Sequence, residues 1–129
     1  MAACLQSDLG FHKGEIMKIA FTSSGDTWES RIDPRFGRTD YILLYDEETE
    51  TLTVADNREI QAVAHGAGPK TAEKIFALKA DVLITGNGPG GNAASILDKT
   101  NIKIYIKAGG MTIREAYEAY KNNKLEQGA

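Results

Sequence analysis

The chain has 129 residues, the size of one ordinary domain, and its 42% hydrophobic and 26% charged content excludes a disordered or collagen-like protein. Its 15 Lys and Arg stand against 18 Asp and Glu, a net charge of −3 without the basic surplus of a protein that tracks nucleic acid. No run approaches the roughly 18 apolar residues of a membrane span, and one cysteine, Cys4, cannot make an internal disulfide, so a cytoplasmic setting is expected.

Residues 1–16, MAACLQSDLGFHKGEI, mix short apolar and charged pieces without a sustained period and lack the apolar core of a secretory signal. They are expected to be a disordered leader or a non-native extension, with one domain spanning 17–129. Cys4 and His12 within them are poor candidates for preorganised metal ligation. From Met17 onward there is no cysteine and one histidine, His65.

The order changes at Met17, where MKIAFTS reads as a compact first strand. Tyr41 to Tyr45 is a second strand, and Thr51 to Ala55 alternates strictly, so the two form a hairpin around the acidic turn Asp46 to Glu50. Pro69 opens a helix with Ala72, Ile75, Phe76 and Lys79 at helical spacing. Asp81 to Thr85 has a continuously aliphatic centre, the mark of a buried strand. Gly88 to Asp98 is a short helix with Ala93, Ile96 and Leu97 on one face, and Ile102 to Ile106 is the fifth strand. Thr112 and Glu115 form a capping-box pair, opening a last helix with Ile113, Ala116, Tyr117 and Tyr120 inward.

These elements predict an α/β domain with a five-stranded mixed sheet, order 3-2-1-4-5, and three helices, the arrangement of the ribonuclease-H-like motif. Strand two runs against its neighbours and the other four run together. Four loops then leave one edge of the sheet: Ser24 to Thr39, Asp56 to Gly68, Gly86 to Gly91 and Lys107 to Met111. Ligands of open α/β sheets settle at such carboxyl ends, so a loop-built pocket is expected there.

Four features in these loops bear on chemistry. Arg35-Phe36-Gly37-Arg38 places two guanidinium groups around a glycine, which suits an anionic ligand; the alternative is a solvated loop whose arginines pair with Asp33 or Asp40. Gly86-Asn87-Gly88-Pro89-Gly90-Gly91 follows a strand and opens a helix. It matches G-x-G-x-x-G formally, but no acidic residue follows about 20 positions on to hold a ribose, so Asn87 and Gly88 are expected to face a generic anion. His65 stands before two glycines and a helix and is either structural or an imidazole ligand to a metal centre. Ser24 follows strand one. As a nucleophile it has no base other than His65 and no Gly-x-Ser-x-Gly elbow, so turn chemistry competes with a role in ligand binding.

Met17-Lys18-Ile19-Ala20, the loop ending in Arg35-Phe36-Gly37-Arg38, and Tyr41 to Asp46 together resemble the dinitrogenase iron–molybdenum cofactor biosynthesis family. So do His65-Gly66, Asp81 to Pro89, Ile102 to Tyr105 and Gly110-Met111-Thr112, over Met17 to about Leu125. The resemblance implies the ribonuclease-H-like fold and a nitrogenase accessory role, with cofactor-assembly proteins as partners and an iron–sulfur or iron–molybdenum type cluster as cofactor. Members often carry a cysteine where this chain has Thr39, and some carry another in the turn where it has Thr85-Gly86. With those thiols absent, the resemblance implies an anionic cluster held by His65, by Arg35 and Arg38, and by the backbone around Gly37, Asn87 and Gly88, with Ser24 alongside.

Two functions compete. One is a small non-enzymatic carrier of such a cluster; the other is an enzyme or sensor for a phosphorylated small molecule or nucleotide, using Gly86 to Gly91. A nuclease is disfavoured because no strand centre carries an acid for two-metal chemistry. Neither nucleic acid nor a membrane is an expected partner, and the chain is expected to be a monomer or weak homodimer, with strand three a lightly guarded edge.

Overall fold

The computed structural model describes residues 16–61 and 66–128. Cys4, His12, His65 and all of the expected leader but Ile16 lie outside the described residues.

The chain runs β1 (Lys18–Ser23), β2 (Tyr41–Asp46), β3 (Thr51–Asp56), α1 (Arg58–Gln61), α2 (Ala67–Ala77), β4 (Val82–Ile84), α3 (Gly91–Asp98), β5 (Lys103–Ile106), α4 (Ile113–Lys121) and β6 (Glu126–Gln127). The sheet order is β3-β2-β1-β4-β5-β6. β1, β4 and β5 are parallel, and β2 is antiparallel to both β1 and β3. The α/β class and the first five positions follow the expected order. Among the described residues there are six strands and four helices rather than five and three.

The additions have a plain physical reason. β6 is two exposed polar residues, too short for any alternation to register. Its pairing with β5, Tyr105 with Gln127 and Ile106 with Glu126, is continued by the backbone bond from Gly128 N to Ile104 O at 2.7 Å. α1 is a single turn begun where Asp56 accepts from Arg58 N, a local capping bond rather than a periodic face.

The sheet separates two apolar cores because successive strand side chains point to opposite faces. Ala20, Ile42, Leu83 and Ile104 face α2 and α3, whose Ala72, Ile75, Ala93 and Leu97 close that core. Ile19, Phe21, Leu43, Val82 and Ile84 face the other way, under Ile113 and Ala116 of α4. Each of the larger aliphatic or aromatic groups among them contributes about 1.5–3 kcal/mol on burial. Thr112 caps α4 as its sequence predicts, accepting from Glu115 N while Glu115 accepts from Thr112 N. Phe76 departs from expectation: it is 58% exposed, because Thr71, Ala72 and Ile75 define the inward face of α2 and the next position turns about 100° away from it.

Candidate functional site

The parallel strands end together at one edge, and the loop after β1 determines what lies there. Its first half stays on the α4 side. Ser24 N and Oγ both donate to Arg31 O, Arg31 bridges Thr112, and Ile113 N donates to Ser30 O. Ile32 is buried in the core beneath α4, whereas Phe36, four residues on, is buried in the core beneath α2 and α3. The chain therefore crosses the sheet edge between them. Asp33 marks the crossing, with its N donating to Thr22 O at 2.9 Å and its O accepting from Thr22 Oγ1 at 3.0 Å.

The second half of the loop is held between the N-terminus of α2 and the turn that precedes α3 by backbone contacts that leave no space for side chains. A Cβ on Gly37 would lie 2.8 Å from Gly68 N in the first turn of α2. A Cβ on Gly86 would lie 2.6 Å from Pro34 Cα, and Asn87 N donates to Pro34 O at 2.9 Å. Gly68 in turn would place a Cβ 3.5 Å from Ala93 Cβ in α3. Loop, α2 and α3 thus converge within a few ångströms.

Beneath this junction lies a buried set of polar side chains. Thr22 Oγ1 is 2.9 Å from Thr85 Oγ1, which donates to Asn87 O at 3.1 Å. Thr39 Oγ1 lies 3.1 Å from Ser23 O and 3.0 Å from Tyr41 O, able to donate to one at a time. Asn57 Nδ2 donates to Thr39 O and to Thr71 Oγ1, and Thr71 Oγ1 donates to Gly37 O at 2.9 Å. Asn57 and Thr71 therefore clasp the arginine loop to the start of α2. Asn57 Oδ1, fully buried, has no hydrogen-bond partner among the described residues. Thr39 and Thr85 are fully buried and engaged in this scaffold.

The first arginine is committed to a carboxylate of its own loop. Arg35 donates from Nε and Nη2 to the two oxygens of Asp33, at 3.1 and 3.0 Å, and Asp33 also accepts from the backbone N of Arg35 and Asp40. Burial alone would raise the Asp33 carboxyl. The Arg35 hydrogen bonds outweigh it and hold the group below the usual carboxylate range. The pairing alternative read from the sequence is therefore the one realised at Arg35. Arg38 is exposed beside Gly37, and Asn87 and Gly88 are exposed on the neighbouring turn.

The helix ends supply the remaining polarity. The N-caps of α2 and α3 are Gly66 and Gly90, neither with a side-chain cap, and neither helix has an acidic residue in its first turn. The first-turn N–H groups there have no side-chain acceptor from the cap, which makes both ends receptive to negative charge. Among the described residues no group of three His, Cys, Asp or Glu side chains could hold a metal ion. Among the described residues, the backbone N–H groups and the guanidinium groups at this edge suit an anion.

The structure sets Asn87 against Pro34, the residue before Arg35, and packs Gly37 on Gly68 at the start of α2. Ser24 belongs with the half of the loop turned toward α4. The Gly86 turn is shaped first by packing, since Gly86 is pressed on Pro34 and Asn87 N is already engaged there. Sequence reasoning missed Asp33, Asn57 and Thr71. Only Asp33, next to Pro34 and two before Arg35, left a trace in the sequence, as a possible arginine partner.

Among the described residues no helix is long and apolar enough to cross a membrane. The sequence profile described as dinitrogenase iron-molybdenum cofactor matches residues 16–123. No curated protein sequence matches the chain significantly. Solved structures do. The apo form of the orange protein from Desulfovibrio gigas is 30% identical, with a TM-score of 0.83 over 89% of this chain and 95% of that one. A protein from Thermotoga assigned as a NifB protein of the DUF35 family is 33% identical, with a TM-score of 0.74 over 86% of this chain and 92% of that one.

Proposed function

The chain belongs to the dinitrogenase iron-molybdenum cofactor family, and from that premise we propose that it is a non-catalytic carrier of an anionic iron–sulfur or iron–molybdenum type cluster. The cargo sits at the carboxyl edge of the sheet, over the starts of α2 and α3, and passes from there to cofactor-assembly proteins. The observation that carries this reading is the convergence of two helix N-termini, without side-chain caps or acidic first turns, on a loop bearing Arg38. The orange protein was solved as an apo form, a term for a protein that takes a ligand.

The residues have separate tasks in this account. Arg38 and the first-turn amides of the two helices neutralise and orient the cargo through charge-assisted hydrogen bonds. Arg35 does so indirectly: paired with Asp33, it holds the loop in the shape that presents Arg38. Asn87 and Gly88 border the site on the β5 side, where a Cβ on Gly88 would meet Ile106 Cγ2 at 3.5 Å. His65, which immediately precedes the N-cap Gly66 in sequence, is the imidazole proposed as a direct metal ligand. From Met17 onward the sequence holds no cysteine to add a thiolate, and such a site releases its cargo readily, as a carrier must.

The test compares variants that differ in kind, using protein purified without oxygen and supplied with ferrous iron and sulfide. His65→Ala is expected to change the visible absorption spectrum and lower cluster retention. Arg38→Ala is expected to lower retention while leaving the shape of the spectrum unchanged. Equal retention by both variants and the parent would refute the assignment.

A further inference from the structure

β3 is a sheet edge of an unusual kind. Thr51-Leu52-Thr53-Val54-Ala55-Asp56 pairs with β2 through six consecutive residues without a bulge, and among the described residues nothing pairs with its other side. It carries no lysine, proline or glycine, the devices that normally blunt an edge. Thr51, Thr53 and Val54 are exposed, Val54 to 43%. The opposite edge differs: β6 is two residues long, and its Glu126 is paired with Lys107 at 3.2 Å. One edge is guarded, and the other is a regular six-residue strand whose single charge, Asp56, lies at its end.

We infer that the β3 edge is a self-association surface whose occupant is β3 of a second copy, paired antiparallel to continue the sheet. The charges beside the strand favour that occupant and also select the register. A two-fold axis perpendicular to the sheet places some residue of β3 opposite itself. Centred on Leu52, the pairing would set Glu48 across from Asp56; centred on Thr53, it would set Glu50 across from Asp56. Both oppose like charges, twice each, and like charges across strands destabilise pairing. Centred on Val54, the pairing sets Val54 against Val54 and Leu52 against Asp56, and it brings Glu50, in the turn before β3, toward Arg58, which opens α1 just beyond the end of the partner strand. That register buries the exposed valine of both copies and brings unlike charges toward each other at both ends. Centred on Ala55, the strands would overlap over only three residues. Arg58 is held near the strand end by Asp56, at 2.7 Å, and over the Tyr41 ring, and Lys74 Nζ caps Asp56 O where the free edge stops.

The geometry keeps this surface independent of the candidate site. Antiparallel pairing points the carboxyl edges of the two copies in opposite directions, so both remain open.

Sedimentation velocity on the full chain, from roughly 10 µM to roughly 1 mM, covers the range in which an interface of one strand per copy is populated. The wild type is expected to shift from monomer to dimer. Val54→Lys is expected to weaken that association at least tenfold with an unchanged circular dichroism spectrum. Glu50→Arg alone is expected to weaken it, and Glu50→Arg combined with Arg58→Glu to restore it. A wild type that stays monomeric throughout overturns the inference. So does a dimer indifferent to Val54→Lys, which would have its interface elsewhere, and failure of the charge swap to restore association overturns the register.

Discussion

Arg35 grips Asp33 through two hydrogen bonds, Nε to Oδ1 at 3.1 Å and Nη2 to Oδ2 at 3.0 Å, with the guanidinium half exposed and the carboxylate 2% exposed. The pair makes the two arginines of the loop unequal. Arg35→Ala strands a buried carboxylate and is expected to cost about 1–3 kcal/mol in denaturant unfolding. Arg38→Ala, at an exposed position, is expected to change stability by less than about 0.5 kcal/mol. Equal losses would show that the pair does not shape the loop.

Stability should fall in acid in a defined way. Asp33 and Glu47 are both held below their ordinary values of 3.8 and 4.5. At Glu47 burial pushes upward but is outweighed by hydrogen bonds from Tyr117, Lys121 and Met17 N. A folded-state value below the unfolded one means the stabilisation is complete above the unfolded value and is lost as pH falls through the folded one. Unfolding free energy is therefore expected to hold steady down to about pH 5 and to decline below it. Asp33→Asn should lower the plateau and flatten the decline. A decline of unchanged slope in that variant would assign the acid sensitivity elsewhere.

The close approach of backbones at the junction sets another expectation. Gly37→Ala would push a methyl group to 2.8 Å from Gly68 N, and Gly86→Ala to 2.6 Å from Pro34 Cα. Backbone cannot yield as a flexible side chain does, so each change is expected to cost about 1–3 kcal/mol. Gly90→Ala, whose added methyl meets nothing within 4 Å, serves as the control and is expected to be nearly neutral. Loss of stability in the control as large as in the other two would show that backbone freedom, not crowding, is what glycine provides here.

The parts of the fold legible in the sequence are those written as period and punctuation. Aliphatic runs gave β1, β4 and β5, strict alternation gave β3, and Thr112 with Glu115 marked the start of α4 where it is found. β6 was invisible because two polar residues paired through the backbone carry no pattern, and Phe76 misled because a large apolar residue beside an inward face need not share it. At the site, glycines and arginines announced the loop. The roles of Asp33, Asn57 and Thr71 depend on contacts across 2 to 34 positions of sequence, between elements whose adjacency follows only from the folded sheet. The Arg35 guanidinium is plain in the sequence, but its two-point grip on Asp33 is visible only in the folded loop.

The carrier reading is tested most directly by metal and acid-labile sulfide analysis of the chain purified without oxygen and supplied with iron, molybdate and sulfide. The parent protein is expected to retain metal and sulfide through gel filtration at low salt and to lose most of both at high salt, because exposed charge contacts are screened within about 10 Å at 0.1 M. Arg38→Glu is expected to retain little at either salt concentration. A parent protein that emerges free of metal and sulfide at low salt, or an Arg38→Glu variant that retains as much as the parent, would contradict the account.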